Sequence, residues 1–224
     1  MRLNKYISDT GYCSRREADR LVSERRVTVN GLPAGIGTQV GEGDRVEVDG
    51  QALSVRAAKP GARRHVYIAL NKPVGITCTT DTADASNIID FIDHQERIFP
   101  IGRLDKDSEG LILLTSNGDI VNRILRAENN HEKEYLVGVN KPVTEEFLRT
   151  MARGVHIHRQ VTKPCKVSKL AKYGFRITLT QGLNRQIRLM SEALGYKVVQ
   201  LRRVRIINVK LGTLKPGAWR NLSD

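Results

Sequence analysis

The stretch IGRLDKDSEGLILLTSNG, which starts at Ile101, sets Asp105 between Arg103 and Lys106 just ahead of an apolar run. Three readings fit such a carboxylate: a solvated turn residue, a helix cap, or a reactive group whose charge is held by basic neighbours. Leu111 to Leu114 have the length and composition of a buried strand, so Asp105 falls where a loop approaches the core. An isolated buried carboxylate protonates, and a reactive Asp105 therefore needs a cation or several donors. Arg103 is close in sequence. A distant source is QGLNRQIRLM, which runs from a loop into a helix whose first turns carry Arg185 and Arg188 on one face. A helix start with basic groups and unpaired amides stabilises an anion. On spacing alone, a pairing of Arg188 with Asp105 and two unrelated surface charges both remain open. Tyr135 in KEYLV likewise reads as a plain strand tyrosine or as a site residue. His156 and His158 would share a strand face, but no Cys or His pair at zinc spacing accompanies them, so no metal is expected.

The elements that would position these groups follow from apolar periodicity. HVYIALNKPVGI reads as a strand running into a Lys-Pro-Val-Gly turn, and EYLVGV and FRITLT alternate as strands. GDIVNRILRA, TEEFLRTMARG and NRQIRLMSEALG carry apolar residues at helical spacing. Strands and helices intermingle with hairpin-length connections between several strands. The fold class expected is α+β, with a mixed, largely antiparallel sheet flanked by helices. In LRRVRI, Arg202, Arg203 and Arg205 would project charge from both faces of a strand.

The first 60 residues read differently. RLNKYISDTG and CSRREADRLVSERR are two helices, the second opening with a capping box of Ser14 and Glu17 and an apolar stripe of Ala18, Leu21 and Val22. Arg15, Arg16 and Arg20 lie off that stripe. VTVNG and DRVEVDG alternate as strands and end in Asn-Gly and Asp-Gly turns. RAAKPGARR, about 56–64, combines Pro, Gly and charge without periodicity and is expected to link a domain over 1–60 to one over 61–224.

Composition narrows the partner. The 224 residues hold 37 Lys+Arg against 24 Asp+Glu, a formal charge of +13, which points to a polyanion such as nucleic acid. Through Pro60 there are ten basic and eight acidic residues, and from Gly61 onward 27 and 16, so the excess lies mainly on the second domain. Aromatic residues make up only 5%, which argues against a broad stacking platform for single strands. No signal-peptide core and no apolar run of about 18 residues is present, so the expected location is cytoplasmic, without a membrane partner. Cys13, Cys78 and Cys165 are odd in number and far apart, as suits reduced thiols. The glycines of AGIGTQVGEG lack the strand–turn–helix context of a nucleotide site, and no cofactor is expected.

Two resemblances sharpen this reading. RLNKY from Arg2, CSRREAD from Cys13 and VTVNG from Val27 resemble an S4 RNA-binding domain, which implies structured-RNA binding through Arg2, Lys5, Arg15, Arg16 and Arg20. GRLDKDSEGLILLTSNGD, KEYLV and QGLNRQIR together resemble the RsuA-type family of bacterial pseudouridine synthases, and the likeness spans essentially the whole chain. That resemblance implies an enzyme that turns uridine into pseudouridine in structured RNA, expected to be large-subunit ribosomal RNA, with the anticodon region of tyrosine tRNA as a further target. It implies Asp105 as the catalytic aspartate, Tyr135 as an active-site tyrosine and Arg188 as the basic partner of the aspartate. It also implies that Arg103 helps hold RNA with its target base turned out, with Arg185 beside it on the RNA. Neither a metal nor a cofactor is implied, and the protein is expected to be a monomer. One departure is visible: the family often reads QIRRM where this chain has Arg188-Leu189-Met190, which removes one RNA contact. The alternative function is a non-catalytic S4-type RNA-binding or ribosome-assembly factor on the same scaffold.

Overall fold

The computed structural model of the protein describes residues 1–53, 65–125 and 130–222. The expected linker at 56–64 lies outside the described residues. The chain divides into two compact units, Met1–Arg64 and His65–Asp224.

In the first unit α1 (Leu3–Asp9) and α2 (Arg15–Ser23) precede β1 (Val27–Val29), β2 (Leu32–Pro33), β3 (Val46–Val48) and β4 (Gln51–Leu53). The Ser14 hydroxyl accepts the Glu17 N–H at 3.1 Å and so caps α2. The reciprocal half of the capping box gives way to an ion pair, because the Glu17 carboxylate turns to Arg20. Asn30-Gly31 and Asp49-Gly50 all have positive φ, the conformation that two-residue hairpins demand, and they close β1–β2 and β3–β4. The sheet, ordered β2-β1-β3-β4, buries Val27, Val46 and Val48 against Leu3, Ile7, Ala18, Leu21 and Val22. Each large aliphatic side chain so buried stabilises the unit by roughly 1.5–3 kcal/mol.

The second unit is built on one nine-stranded sheet. Its elements are β5 (Tyr67–Lys72), α3 (Ile88–Ile92), β6 (Phe99–Ile101), β7 (Glu109–Thr115), α4 (Gly118–Leu125), β8 (Lys133–Val139) and α5 (Glu145–Arg153). They continue with β9 (His156–Ile157), β10 (Gln160–Val161), β11 (Lys166–Ala171), β12 (Gly174–Leu179), α6 (Gln186–Ala193), β13 (Val198–Ile206), β14 (Val209–Lys210) and β15 (Trp219–Asn221). The strand order is β11-β12-β8-β13-β7-β5-β15, with β14 beside β13, β6 beside β7, and β9–β10 a separate hairpin. Every described pairing is antiparallel except β7 with β13, so the sheet is mixed and largely antiparallel. Alternation along the strands sends Tyr135, Val137, Val139, Phe175, Ile177 and Leu179 to one core with Phe147 and Met151 of α5 and Ile187 and Met190 of α6. A second core joins Leu111, Leu113 and Ile206 to Ile120, Val121 and Ile124 of α4.

Two expectations are corrected here. His156 stands in β9, but His158 and Arg159, with φ of 47° and 62°, form the turn into β10, so the two histidines do not share a strand face. Arg203 does not project charge outward. It is 4% exposed, because β13 keeps Leu201 and Arg203 on the inner face and then shifts register before Arg205.

The parallel pairing of β7 with β13 puts Gly110 (φ 105°) opposite Arg203. A Cβ at Gly110 would lie 2.3 Å from the Arg203 carbonyl oxygen, which is backbone and cannot swing away. The Gly110→Ala variant is therefore expected to lose about 3 kcal/mol or more, combining a strained φ with a steric overlap. Urea unfolding checks this, and an unchanged midpoint would contradict the close approach.

Candidate active site

Asp105 lies in the loop between β6 and β7, and three separate parts of the chain hold that loop in place. Behind it, Lys72 at the end of β5 is fully buried, and its ammonium donates to the carbonyls of Pro73 and Ile76, both at 2.9 Å. This ties down the Lys-Pro-Val-Gly turn, whose Gly75 N–H donates to the Lys106 carbonyl at 2.8 Å. Burial pushes the Lys72 ammonium below its ordinary range, while the nearby carboxylates of Asp107 and Asp105 act to keep it charged. The Leu104 N–H meets the Cys78 sulfur at 3.4 Å, and burial raises that thiol, which favours its neutral form. Inside the loop, the Ser108 N–H donates to the Asp105 carbonyl at 3.0 Å.

The third anchor comes from α6. Arg185 occupies the N-cap with left-handed φ and ψ of 50° and 27°, and its side chain does not cap the helix. Instead Gln186, buried at the first position, accepts the Leu183 N–H at 3.0 Å and so closes the loop. Ile187 and Met190 pack into the core below, and that seat aims both arginines at the Asp105 loop. Arg185 lies 3.8 Å from the Asp105 carboxylate and makes a two-pronged contact with Asp107 at 3.2 and 3.1 Å. Arg188 donates to the Asp107 carbonyl and the Ser108 hydroxyl, each at 2.9 Å, and its Nε lies 3.5 Å from the Asp107 carboxylate.

Both arginines thus converge on the Asp105 loop, but not in the expected pairing. Arg185, expected among the RNA-contacting residues, is the one that forms an ion pair with Asp105. Arg188 reaches the loop two residues further along, through Asp107 and Ser108. The contacts running from this helix start to the carboxylates are made by guanidinium groups. The Asp105 side chain is 27% exposed, with the Arg185 guanidinium beside it.

Tyr135 in β8 is 9% exposed and faces the core. Across the β8–β13 pairing it stands opposite Arg203, whose guanidinium carbon lies 5.9 Å from the tyrosine ring centroid. Arg103 is exposed, and its backbone carbonyl accepts a hydrogen bond from Arg203 at 3.3 Å. Sequence reasoning missed Lys72, Asp107, Ser108 and Arg203. The Asp-Lys-Asp spacing of LDKDS hinted at a second carboxylate, and NKPVG hinted at an ordered turn.

In the first unit Arg2, Arg15 and Arg16 are exposed, with Arg15 and Arg16 in the first turn of α2. Arg20 is tied to Glu17 and Glu24, and Lys5 to Asp9 at 2.7 Å. Among the described residues no group of His, Cys, Asp and Glu suits a metal ion, and no helix is long and apolar enough to cross a membrane.

Comparison with known proteins bears on this arrangement. Residues 66–193 match the family model described as RNA pseudouridylate synthase, and residues 1–46 match the S4 domain. The chain is 58% identical over 224 residues to the dual-specificity RNA pseudouridine synthase RluF of Escherichia coli (strain K12), covering 100% of this chain and 76% of that protein. The ribosomal large subunit pseudouridine synthase B of Bacillus subtilis (strain 168) is 35% identical over 231 residues, covering 99% of this chain and 92% of that protein. A crystal structure of a pseudouridylate synthase superposes with a TM-score of 0.71 at 32% identity, covering 100% of this chain and 96% of the other. An S4 domain followed by a synthase domain, with 58% identity to such an enzyme along the whole chain, places the chain in the RNA pseudouridylate synthase family.

Proposed function

We propose that Asp105 is the reacting carboxylate of a uridine isomerase whose substrates are large-subunit ribosomal RNA and the anticodon region of tyrosine tRNA. Two relatives support an RNA range of this kind: one is a dual-specificity RNA pseudouridine synthase and another a ribosomal large subunit pseudouridine synthase. The observation that carries the assignment is that Asp105, only partly exposed, sits 3.8 Å from a guanidinium supplied 80 positions along the chain. A carboxylate so placed has a cation beside it and an open side for a substrate, as attack at a sugar requires.

In the reaction the N1–C1′ bond breaks, the uracil turns, and a C5–C1′ bond forms; C5 gives up its proton to solvent and N1 takes one up, so no atoms are gained or lost overall. Asp105 either bonds to C1′ in between or assists formation of a glycal; both routes use the ionised carboxylate. Tyr135 offers a ring for the uracil to stack on and a phenol that helps move a proton at the sugar. Turning the uridine out of its helix costs a few kcal/mol. Arg103, exposed and two residues before the reacting carboxylate, is suited to fill the vacated place. Arg2, Lys5, Arg15, Arg16 and Arg20 are assigned to phosphate contacts in the S4 unit, with the exposed first turn of α2 at their centre. Action on these RNAs places the protein in the cytoplasm.

Arg188 acts on the reacting group through the loop, and Asp107 is its anchor. Partial burial raises the Asp107 carboxyl, but the hydrogen bond from Arg185 and the charges of Arg188 and Arg185 outweigh it and bring the carboxyl below its ordinary range. A carboxyl depressed in the folded state contributes stability above its unfolded pKa, and that contribution is lost as pH falls through the folded value. The pair is half exposed, so solvent screening limits its worth.

RNA carrying tritium at uridine C5 is expected to release its label with the wild type. With Asp105→Asn the release should be at least about 10³-fold slower, although the RNA still binds. Equal release by both proteins ends the assignment. Asp107→Asn is expected to unfold with a midpoint stability less than about 1 kcal/mol below wild type at neutral pH. That difference should close as pH falls below the carboxylate range, and a gap that widened in acid would show that the anchor does not work as described.

A further inference from the structure

We propose that Arg203 is a positioning residue for the isomerisation, fixing Tyr135 and the Asp105 loop relative to each other. The inference rests on the site reading given above and goes beyond it, since no role in the reaction has so far attached to this arginine.

Arg203 occupies the one strand that borders both partners. On one side β13 pairs with β7, which follows the Asp105 loop, and on the other with β8, which carries Tyr135. Its side chain links the same two strands. Nε donates to the Leu111 carbonyl at 2.7 Å and Nη1 to the Arg103 carbonyl at 3.3 Å, so the guanidinium grips the backbone on both sides of Asp105. The same group lies 5.9 Å from the Tyr135 ring centroid, within range of a cation–π contact. A planar fork can hold two carbonyls and a ring face at once; a lysine ammonium holds them one at a time.

Stability alone does not account for this residue. The side chain is 96% removed from solvent, yet its Nη2 is buried with no hydrogen-bond partner among the described residues. No carboxylate within ion-pair distance of Arg203 is found among the described residues. Its charge also works against two other desolvated cations, Lys72 and Lys133. A buried charge without a counter-ion is a net cost, and an apolar side chain of similar volume would remove it. What the apolar residue could not do is bridge Arg103, Leu111 and Tyr135.

The test measures tritium release in single turnover at saturating enzyme, together with RNA affinity, for Arg203→Lys and Arg203→Gln. The rate constant at saturation is expected to fall at least tenfold in Arg203→Gln and by a smaller factor in Arg203→Lys. The dissociation constant for RNA should stay within about twofold of wild type. A purely structural role would lower the fraction of competent enzyme and leave the saturated rate constant unchanged, so an unchanged rate constant in both variants overturns the proposal. A fall in RNA affinity that accounts for the slower reaction overturns it as well. Should Arg203→Gln fail to fold, Arg203→Lys decides the matter by the same two measurements. Asp105→Asn is run alongside: wild-type turnover by that variant would condemn the site reading itself, whereas its inactivity with unaffected Arg203 variants would condemn only the role given to Arg203.

Discussion

A carboxylate proposed to react as its anion while mostly removed from water needs cations that cannot drift away, and the loop bearing Asp105 is clasped by two of them. Arg185 and Arg188 have long side chains that, left on a solvated helix face, would sample many rotamers at a cost to any one geometry. Here they are held from both ends. Ile187 and Met190 sink α6 into the core, while Asp107 and Ser108 receive the guanidinium groups. Packing of aliphatic residues thereby sets the position of charge, and the electrostatics of Asp105 depend on van der Waals contacts several residues away. The helix is short, eight residues, and its own hydrogen bonds would not hold it in water. Its burial in the tertiary core is what makes it a reliable mount.

The same constraint explains the single parallel pairing in a sheet that is otherwise antiparallel. The loop bearing Asp105 leads into β7, and the strand bearing Tyr135 is β8, but the two are not neighbours: β13, the product of a much later segment, lies between them. Only the close approach allowed by Gly110 lets β13 fit against β7 at this point. The interposed strand brings Arg203, and with it a rigid connection between two groups that the order of the chain would otherwise leave apart. Local sequence could not supply that link, because the hairpin-length connections here join strands such as β11 and β12, away from the site.

What could be read from the sequence divides along this line. Elements defined by local chemistry were visible: the Ser14 cap, the Asn-Gly and Asp-Gly hairpins, the buried run of β7, and the amphipathic patterns of α4, α5 and α6 each depend on residues close together. Features that depend on what lies across the sheet were not. LRRVRI looks like charge on both faces because a strict period of two ignores the register shift between Arg203 and Arg205. With that shift, Arg203 points inward and Arg205 instead meets Glu132 and Glu134. The turn at His158-Arg159 has no glycine to announce it. Arg185 and Arg188 were visible as a basic pair near a helix start. Which carboxylate each would meet was not, since Asp105 and Asp107 differ by two residues in a loop whose path is set by Cys78, Gly75 and Arg203.

Two kinds of positive charge emerge from this distribution, and physics assigns them different work. Arg15, Arg16 and Arg103 are exposed, and the attraction of such cations for a phosphate passes through water and mobile ions and weakens within about 8 Å at physiological salt. Buried or clasped cations such as Lys72, Arg188 and Arg203 are shielded from those ions and bonded to specific oxygens. Their effect is geometric and nearly independent of salt. A protein with excess positive charge can therefore offer exposed charge to a polyanion while other cations keep the loop of Asp105 in one shape. Arg185, which pairs with Asp105 while its own side chain is 44% exposed, stands between the two kinds: its contacts with Asp107 fix where it sits, while its open face leaves its charge within reach of mobile ions.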